Sequence, residues 1–223
     1  MTVFETNRVD DNDAAEENAN IVEATTGEEG DTPGWVNDSE DEQGEWEDPS
    51  KGGILTQVME ACEGGDADAL AGLIGNLSVG LDEKGEEGDT ALHLACLYGH
   101  HACVARLLSE GASPFVQDSD GGTPLHDATA GGYVEIVRAL LAAAAALGGA
   151  VLERCVNAQD GDGEVPLHCA ARGDHVEVVR ALLAAGAAAD VKSEAGLLPY
   201  QFSGEGSEVE ALCKPEGTEE PTL

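Results

Sequence analysis

This chain has few aromatic and few basic residues. Phe, Trp and Tyr make up 4% of its 223 residues, and only 10 Lys and Arg stand against 45 Asp and Glu, giving a net charge of −35. With so few rings, any core must be built from Leu, Val, Ile and Ala. The acidic excess disfavours binding to nucleic-acid backbones or anionic membrane surfaces and favours basic proteins as partners, although a need for solubility alone would also produce it.

Long apolar segments are also missing. The longest, Ala139 to Leu152, has 14 residues with Gly148 and Gly149 inside, and it is too short to cross a bilayer. The first ten residues lack the basic and apolar segments of a secretory signal. Six cysteines occur without a Cys-x-x-Cys pair, which favours free, buried thiols in a reducing compartment. We therefore expect a soluble protein of the cytoplasm, the nucleus or both.

Three segments of the chain repeat one pattern. They are Gly-Asp-Thr-Ala-Leu-His, Gly-Gly-Thr-Pro-Leu-His and Gly-Glu-Val-Pro-Leu-His, and they end at His93, His126 and His168. The first two histidines lie 33 residues apart, and the next two lie 42 apart, which is one further period plus nine inserted residues. A fixed period of this length indicates a repeat architecture, in which each unit packs on its neighbours.

A period near 33 with Thr-Pro-Leu-His in each unit resembles the ankyrin repeat, over about residues 53–213. The resemblance implies an all-α solenoid of about five helix-turn-helix units, three clear units between two degenerate caps. The third unit holds an insertion at 142–155, where the alanine run predicts a lengthened helix, then a stop at Gly148 and Gly149, then a loop. The units are expected at about 53–86, 87–119, 120–159, 160–192 and 193–213.

The two ends of the chain differ from the repeats. Residues 1–50 carry 17 acids and one base without apolar periodicity, so we expect this acidic tail to be disordered. Within it, Trp35 and Trp46 suggest a short linear motif for a partner or for the solenoid itself, and Ser39, followed by three acidic residues, is a candidate phosphosite. Residues 214–223 are expected to form a loose C-terminal tail.

For the repeated histidines, the resemblance implies a structural task, hydrogen bonding between neighbouring loops. They occur once per repeat, so we expect them to be spread along the stack and unable to converge on one metal ion. The sequence contains no nucleophile elbow, phosphate-binding loop, metal-ligand box or dinucleotide fingerprint. We therefore predict no catalytic, cofactor or metal site.

Ankyrin-like arrays generally bind partners through the loop tips and the exposed side of the first helices, a concave surface. Acids dominate the matching positions, with Leu97 and Tyr98 as apolar anchors, although an ordinary solvated rim is the alternative interpretation. The candidate protein-binding residues are Glu86, Glu87, Asp89, Leu97, Tyr98, Ser119, Asp120, Asp162, Glu164 and Arg172.

These features predict a monomeric, non-catalytic adaptor that binds or escorts a basic client, such as a ribosomal protein or a histone, through an acidic concave face. The alternative is a substrate receptor or regulatory subunit in a ubiquitin, proteasome or signalling complex, in which the array holds one partner and the tryptophan segment another. A regulated enzyme is a third hypothesis, disfavoured because no catalytic constellation is present.

Overall fold

A computed structural model describes residues 47–214 of the chain. These residues form helices and contain no strand, in agreement with the all-α prediction. The helices are α1 Ile54–Gly64, α2 Ala67–Ile74, α3 Ala91–Leu97, α4 His101–Ser109, α5 Pro124–Ala130, α6 Val134–Leu147, α7 Gly149–Val156, α8 Pro166–Arg172, α9 Val176–Ala184 and α10 Glu208–Cys213, with a 3-10 helix at Pro199–Phe202. In this part of the chain no helix is long and apolar enough to cross a membrane.

The helices stack in two rows. The first-helix row consists of α1, α3, α5, α8 and the 3-10 helix, and the second-helix row consists of α2, α4, α6, α9 and α10. The leucines of the repeated motif, Leu92, Leu125 and Leu167, lie fully buried in the core between the rows. Small and aliphatic side chains fill the rest of this core, as expected for a solenoid poor in aromatic rings. The predicted solenoid of about five units is confirmed.

Glycine and aspartate residues at the turns end one helix and begin the next, as the sequence predicted. Gly65 has a left-handed backbone (φ 72°) and ends α1, and the Asp66 carboxylate then accepts the Ala69 N–H at 2.8 Å to cap α2. Asp174 (φ 52°) occupies the turn position where the preceding unit has Gly132 (φ 71°). Asp tolerates this left-handed conformation better than most residues, which explains why the turn survives the substitution.

The insertion in the third unit differs from its prediction. The alanine run does lengthen the helix, because α6 continues to Leu147 and ends at Gly148. The loop predicted after it is wrong, since Gly149–Val156 forms α7, which packs on α6. Cys155 and Val156 are buried and Val151 is half-buried, so the apolar side chains of this segment pack against the rest of the domain.

Residues just upstream of the expected boundary near residue 53 contact the start of α1. Gly53 precedes α1 and has no side chain to cap it, so the Ser50 hydroxyl accepts the Leu55 N–H at 2.7 Å and the Asp48 carboxylate accepts the Thr56 N–H at 2.9 Å. The rest of the predicted acidic tail lies outside the described residues, as do the candidates Trp35, Ser39 and Trp46 and the C-terminal tail beyond Lys214.

Candidate protein-binding face

The repeated histidines lie buried in the first-helix row, at the third residue of their helices. In each ring Nδ1 accepts the backbone N–H of the residue that precedes the helix, at 3.2 Å from Thr90, 3.0 Å from Thr123 and 3.0 Å from Val165. The Nε2–H of each ring then donates to the next unit, to the carbonyls of Gly122 (3.4 Å), Glu164 (3.1 Å) and Leu197 (3.2 Å). We call these three residues the histidine ladder.

The hydrogen bonds decide which form of the ladder histidines is present. Because Nδ1 accepts an N–H, the proton lies on Nε2 and the ring is neutral. Burial lowers the pKa of His93, His126 and His168, which keeps them neutral at physiological pH. Both nitrogens of each ring are occupied by protein groups, so the predicted structural task, bonding between neighbouring loops, is confirmed.

The loop tips beside the ladder are held by their own carboxylates. Asp118 Oδ1 accepts the N–H groups of Asp120 and Gly122, both at 2.8 Å, and Asp160 Oδ1 does the same for Asp162 and Glu164 at 3.0 and 2.8 Å. The Gly161 N–H donates to the Asp120 carbonyl at 2.7 Å, which joins the two tips. These bonds give the loops a fixed shape, so their exposed acids form a preorganised surface.

A groove of about 720 Å³ lies between the two loop tips and the helices α5 and α8. We call it the acidic groove. None of the described residues that line it is a Lys or an Arg, and the remaining lining is small or neutral. Three predicted binding residues, Ser119, Asp120 and Asp162, lie in this lining. Its carboxylates are Asp118, Asp120, Asp127, Asp160 and Asp162.

Other predicted binding residues line a smaller groove of about 290 Å³ beside α1. Glu86, Glu87 and Asp89 are there, together with two glutamates of α1 and the apolar Met59 and Leu94. Burial raises the pKa of Asp89, and the carboxylates of Asp118, Glu87 and Asp120 add to the effect. Asp118 and Asp120 belong to the acidic groove, so a single acidic field extends over both grooves.

Leu97 and Tyr98 lie at the end of α3 and are exposed as predicted, by 48% and 51%. The Tyr98 ring stacks on His100, with 6.4 Å between the ring centroids. The equivalent place in the third unit holds the smaller residues Ala130 and Gly131, and the Tyr133 ring lies against Gly131 and Gly99. Exposed large apolar residues next to charged ones are typical anchors in protein interfaces.

Glu164 differs from its predicted exposed binding position, whereas Arg172 is exposed. Glu164 is buried, with 8% of its surface exposed, and its carboxylate forms an ion pair with the Arg172 guanidinium. That guanidinium also lies over the Phe202 ring, 4.9 Å from its centroid. Arg172 therefore links Glu164 of the fourth unit to Phe202 of the C-terminal cap.

Most basic residues of the domain interact with other residues of the same domain. Of the five arginines in residues 47–214, four form ion pairs with glutamates, and Arg154 lies 5.4 Å from the centroid of the Phe115 ring. The carboxylates of the acidic groove have no such partner among the described salt bridges. The described arginines therefore do not neutralise the groove.

One set of side chains has the composition of a metal site. Asp160, Glu164 and Cys169 place one ligand atom each within 4.8 Å of one another. However, Asp160 already accepts two backbone N–H groups, and Glu164 is paired with Arg172. Burial raises the pKa of the Cys169 thiol to about 12, and a thiol must lose its proton to bind a metal. The arrangement fits a loop anchor better than a cation site.

Three groove carboxylates were not among the predicted binding residues, namely Asp118, Asp127 and Asp160. Asp127 directly follows a ladder histidine, where the neighbouring units have Leu94 and Cys169, both buried. An acid in a position that is otherwise apolar was the available signal. Asp118 and Asp160 lie at the same place in successive loops, and their periodic recurrence in the sequence could have identified them.

Comparisons with known proteins agree with this architecture. Two family models match, ankyrin repeats in three copies over residues 58–150 and ankyrin repeats in many copies over residues 151–203. The chain is 37% identical over 87 residues to the SMC5-SMC6 complex localization factor protein 1 of Bos taurus, which covers 39% of this chain and 8% of that protein.

Two further relatives are shorter matches. The target of rapamycin complex 2 subunit AVO2 of Saccharomyces cerevisiae is 33% identical over 61 residues, 27% of this chain and 14% of that protein. Protein phosphatase 1 regulatory subunit 27 of Mus musculus is 39% identical over 77 residues, 34% of this chain and 50% of that protein. The chain thus spans half or less of the length of each relative. The histidine ladder, the two rows of helices and the family matches together show that the chain belongs to the ankyrin-repeat family, whose repeats mediate protein–protein binding.

Proposed function

We propose that this protein is a non-catalytic adaptor that binds a basic segment of a client protein, of the ribosomal-protein or histone type, in the acidic groove. The observation that carries the proposal is the charge distribution. Five aspartates line the groove, while four of the five described arginines are paired with glutamates elsewhere. Negative potential over a fixed concave surface attracts positively charged segments and raises their rate of association.

A second function is favoured by the names of two relatives. One is a subunit of target of rapamycin complex 2 and another is a regulatory subunit of a phosphatase, so a role as regulatory subunit or substrate receptor in a signalling or ubiquitin–proteasome complex is the alternative. In that role the array holds one partner and the segment with Trp35 and Trp46 holds another. The two functions differ in whether the tail contributes a separate binding site.

The first experiment is affinity purification of the full chain with mass spectrometry at about 50 and 300 mM salt, where the Debye length falls to a few ångströms. We expect basic proteins that are retained at the lower salt concentration and lost at the higher one. The double variant Asp120→Lys, Asp162→Lys is expected to lose them, and the control Asp190→Lys, at an exposed position outside the groove lining, is expected to keep them. Acidic or neutral partners that are insensitive to salt and to the groove variant would contradict the proposal.

The second experiment removes residues 1–46 and leaves Asp48 and Ser50, which hold the start of α1. The adaptor function predicts that the basic client still binds to the shortened chain. The alternative function predicts that one partner is lost while another stays. Substitution of Trp35 and Trp46 by alanine in the full chain is the matched test, because it keeps the charge of the tail.

We also propose that the protein acts as a monomer in the cytoplasm or nucleus, without direct contact to nucleic acid. Burial raises the pKa of the six cysteine thiols, all of which are free and buried, and such thiols are typical of a reducing compartment. Light scattering at several concentrations tests the oligomeric state, and imaging of the tagged full chain tests the compartment.

A further inference from the structure

Asp127 is the one carboxylate in the lining of the acidic groove that stands on a first-row helix. It follows His126 on α5, and in the neighbouring units its position is occupied by the buried apolar side chains of Leu94 and Cys169. Its Oδ2 atom is buried and accepts no hydrogen bond from the described residues. Buried carboxylate oxygens in folded proteins nearly always have a donor, and leaving one without a donor is costly.

The surroundings of Asp127 also lack positive charge. Burial raises its pKa from 3.8 to about 7, and the carboxylates of Asp89 and Asp118 add to this effect. Of the basic groups on the adjacent elements, the Arg172 guanidinium is held by Glu164 and by the Phe202 ring. A cationic donor from a partner would therefore give the unpaired oxygen a hydrogen bond. It would also offset the repulsion between Asp127 and the neighbouring carboxylates.

An apolar surface adjoins this place. Leu97 and Tyr98 end α3, the helix that packs directly on α5, and about half of each side chain is exposed. At the end of α5 itself, Ala130 is part of the groove lining, and the half-buried Tyr133 ring lies against Gly131 and Gly99. A segment lying across α3 and α5 therefore meets a carboxylate and an apolar surface on neighbouring helices.

We propose that this face of α3 and α5 docks an extended basic segment of the client in which an arginine donates to the Asp127 carboxylate and an adjacent apolar side chain packs on Leu97 and Tyr98. The inference rests on the proposed function and names the recognition element within it. Charge complementarity determines the occupant, because a segment rich in Lys and Arg is the partner that five groove carboxylates attract and an acidic segment is repelled.

Arginine fits this place better than lysine for two physical reasons. Its guanidinium is more weakly hydrated than an ammonium group, so it loses less on entering a place where the carboxylate itself is largely removed from water. Its five N–H donors are arranged in a plane, which allows it to bind Asp127 and a second groove carboxylate, such as Asp118 or Asp160, at the same time.

The experiment uses the full chain, labelled with 15N, and synthetic Gly-Ser peptides of one length at about 50 mM salt, where surface charges are little screened. The reference peptide carries three arginines, one of them followed directly by leucine. A second peptide carries three lysines in their place, and a third replaces the leucine by serine. NMR titration reports both the affinity and the backbone amides that shift.

We expect the arginine peptide to bind, to shift the amides around Asp127 and Tyr98, and to bind at least about fivefold more tightly than the other two peptides. Asp127→Asn is expected to weaken its binding about tenfold, and Asp190→Asn less than twofold. Tyr98→Ala should weaken the arginine–leucine peptide and leave the arginine–serine peptide unchanged. Thermal unfolding of each variant shows that the fold is retained.

The outcomes separate the inference from the function on which it rests. If lysine and arginine peptides bind equally, and Asp127→Asn behaves like Asp190→Asn, net charge alone holds the client. That result would overturn the inference and leave the basic-client function standing. If none of the peptides binds and the purified partners are not basic, the proposed function fails and the inference fails with it.

Discussion

The histidine ladder and the acidic groove lie side by side in the first-helix row. Buried polar atoms have hydrogen-bond partners in the ladder, whereas one in the groove has none among the described residues. His126 uses both ring nitrogens, one toward Thr123 and the other toward the Glu164 carbonyl. The next residue, Asp127, keeps a buried oxygen without a hydrogen-bond donor among the described residues. Two consecutive residues on one helix thus have different tasks.

This difference separates stability from binding. A buried group with all its hydrogen bonds stabilises the fold. An unpaired buried carboxylate destabilises it, and a hydrogen-bond donor from a partner would relieve this effect. The ladder recurs in three units with the same geometry, while the acid occurs in one. The repeated part of each unit therefore builds the scaffold, and the residues that differ between units carry specificity.

The largest effect is expected from breaking the ladder. His126→Ala removes the bonds to the Thr123 N–H and the Glu164 carbonyl, which leaves the buried Thr123 N–H without a partner and the carbonyl with the Asp160 N–H alone. We expect the free energy of unfolding to fall by about 2–3 kcal/mol, measured by urea denaturation. His101→Ala, at an exposed position, is the control and should change stability by less than about 0.5 kcal/mol. Equal effects of the two variants would contradict the role given to the ladder.

Removing the charge of Asp127 should stabilise the fold, whereas the loss of a ladder histidine destabilises it. The folded protein keeps the proton of Asp127 up to about pH 7, whereas in the unfolded chain it is lost near 3.8, so the charged group destabilises the fold as the pH rises through this window. Asp127→Asn should therefore raise the free energy of unfolding at pH 8 by on the order of 1–2 kcal/mol.

The same variant should give a smaller gain at pH 5, where Asp127 is already protonated in the folded protein. Urea denaturation at the two pH values measures the difference, and Asp190→Asn is the control because its side chain is exposed. A loss of stability in Asp127→Asn at both pH values would mean that the carboxylate has a partner within the fold.

The ladder should also make the fold sensitive to acid. Burial lowers the pKa of the three histidines below the ordinary 6.5, so below that pH the unfolded chain binds protons that the folded chain excludes. Stability is therefore present above pH 6.5 and lost as the pH falls, by at most about 1.4 kcal/mol per pH unit for each histidine. The slope of stability against pH between 6.5 and 5 should be shallower in His126→Ala than in wild type.

The smallest effect concerns the start of α8. Thr90 and Thr123 place their hydroxyls 2.8 and 2.9 Å from the Nδ1 atoms of their ladder histidines, and Val165 has no such group. Val165→Thr is expected to add this hydrogen bond and stabilise the fold by about 0.5–1 kcal/mol, while Thr123→Val should destabilise it by a similar amount. Calorimetric melting of both variants checks the pair, and a shift of the same sign in both would contradict the comparison.

Much of the scaffold followed from the sequence, because repeat signals are local. The period near 33 and the glycine turns predicted the helical units, and the alanine run correctly predicted that α6 is lengthened and ends at Gly148. The segment after Gly149 was mistaken for a loop, since its helix is short and has no side-chain cap at its start. Packing of Val151, Cys155 and Val156 against α6 stabilises it, and that contact is a tertiary one.

The candidate site followed from the sequence only in outline. Exposure of Leu97, Tyr98 and the loop-tip acids came from their place in the repeat. The burial of Glu164 could not be predicted from its place in the repeat. It depends on Arg172, eight residues away, and on the Phe202 ring of the next unit. Pairing across units cannot be recognised in one unit's sequence.

The sequence by itself determined the acidic character, and its short repeated pattern determined the ankyrin scaffold and the structural use of the histidines. The tertiary structure decided which acids meet in one groove, which acid is neutralised by an arginine, and which one keeps a buried oxygen unpaired. These depend on the stacking of successive units, which brings residues 30 to 40 positions apart into contact.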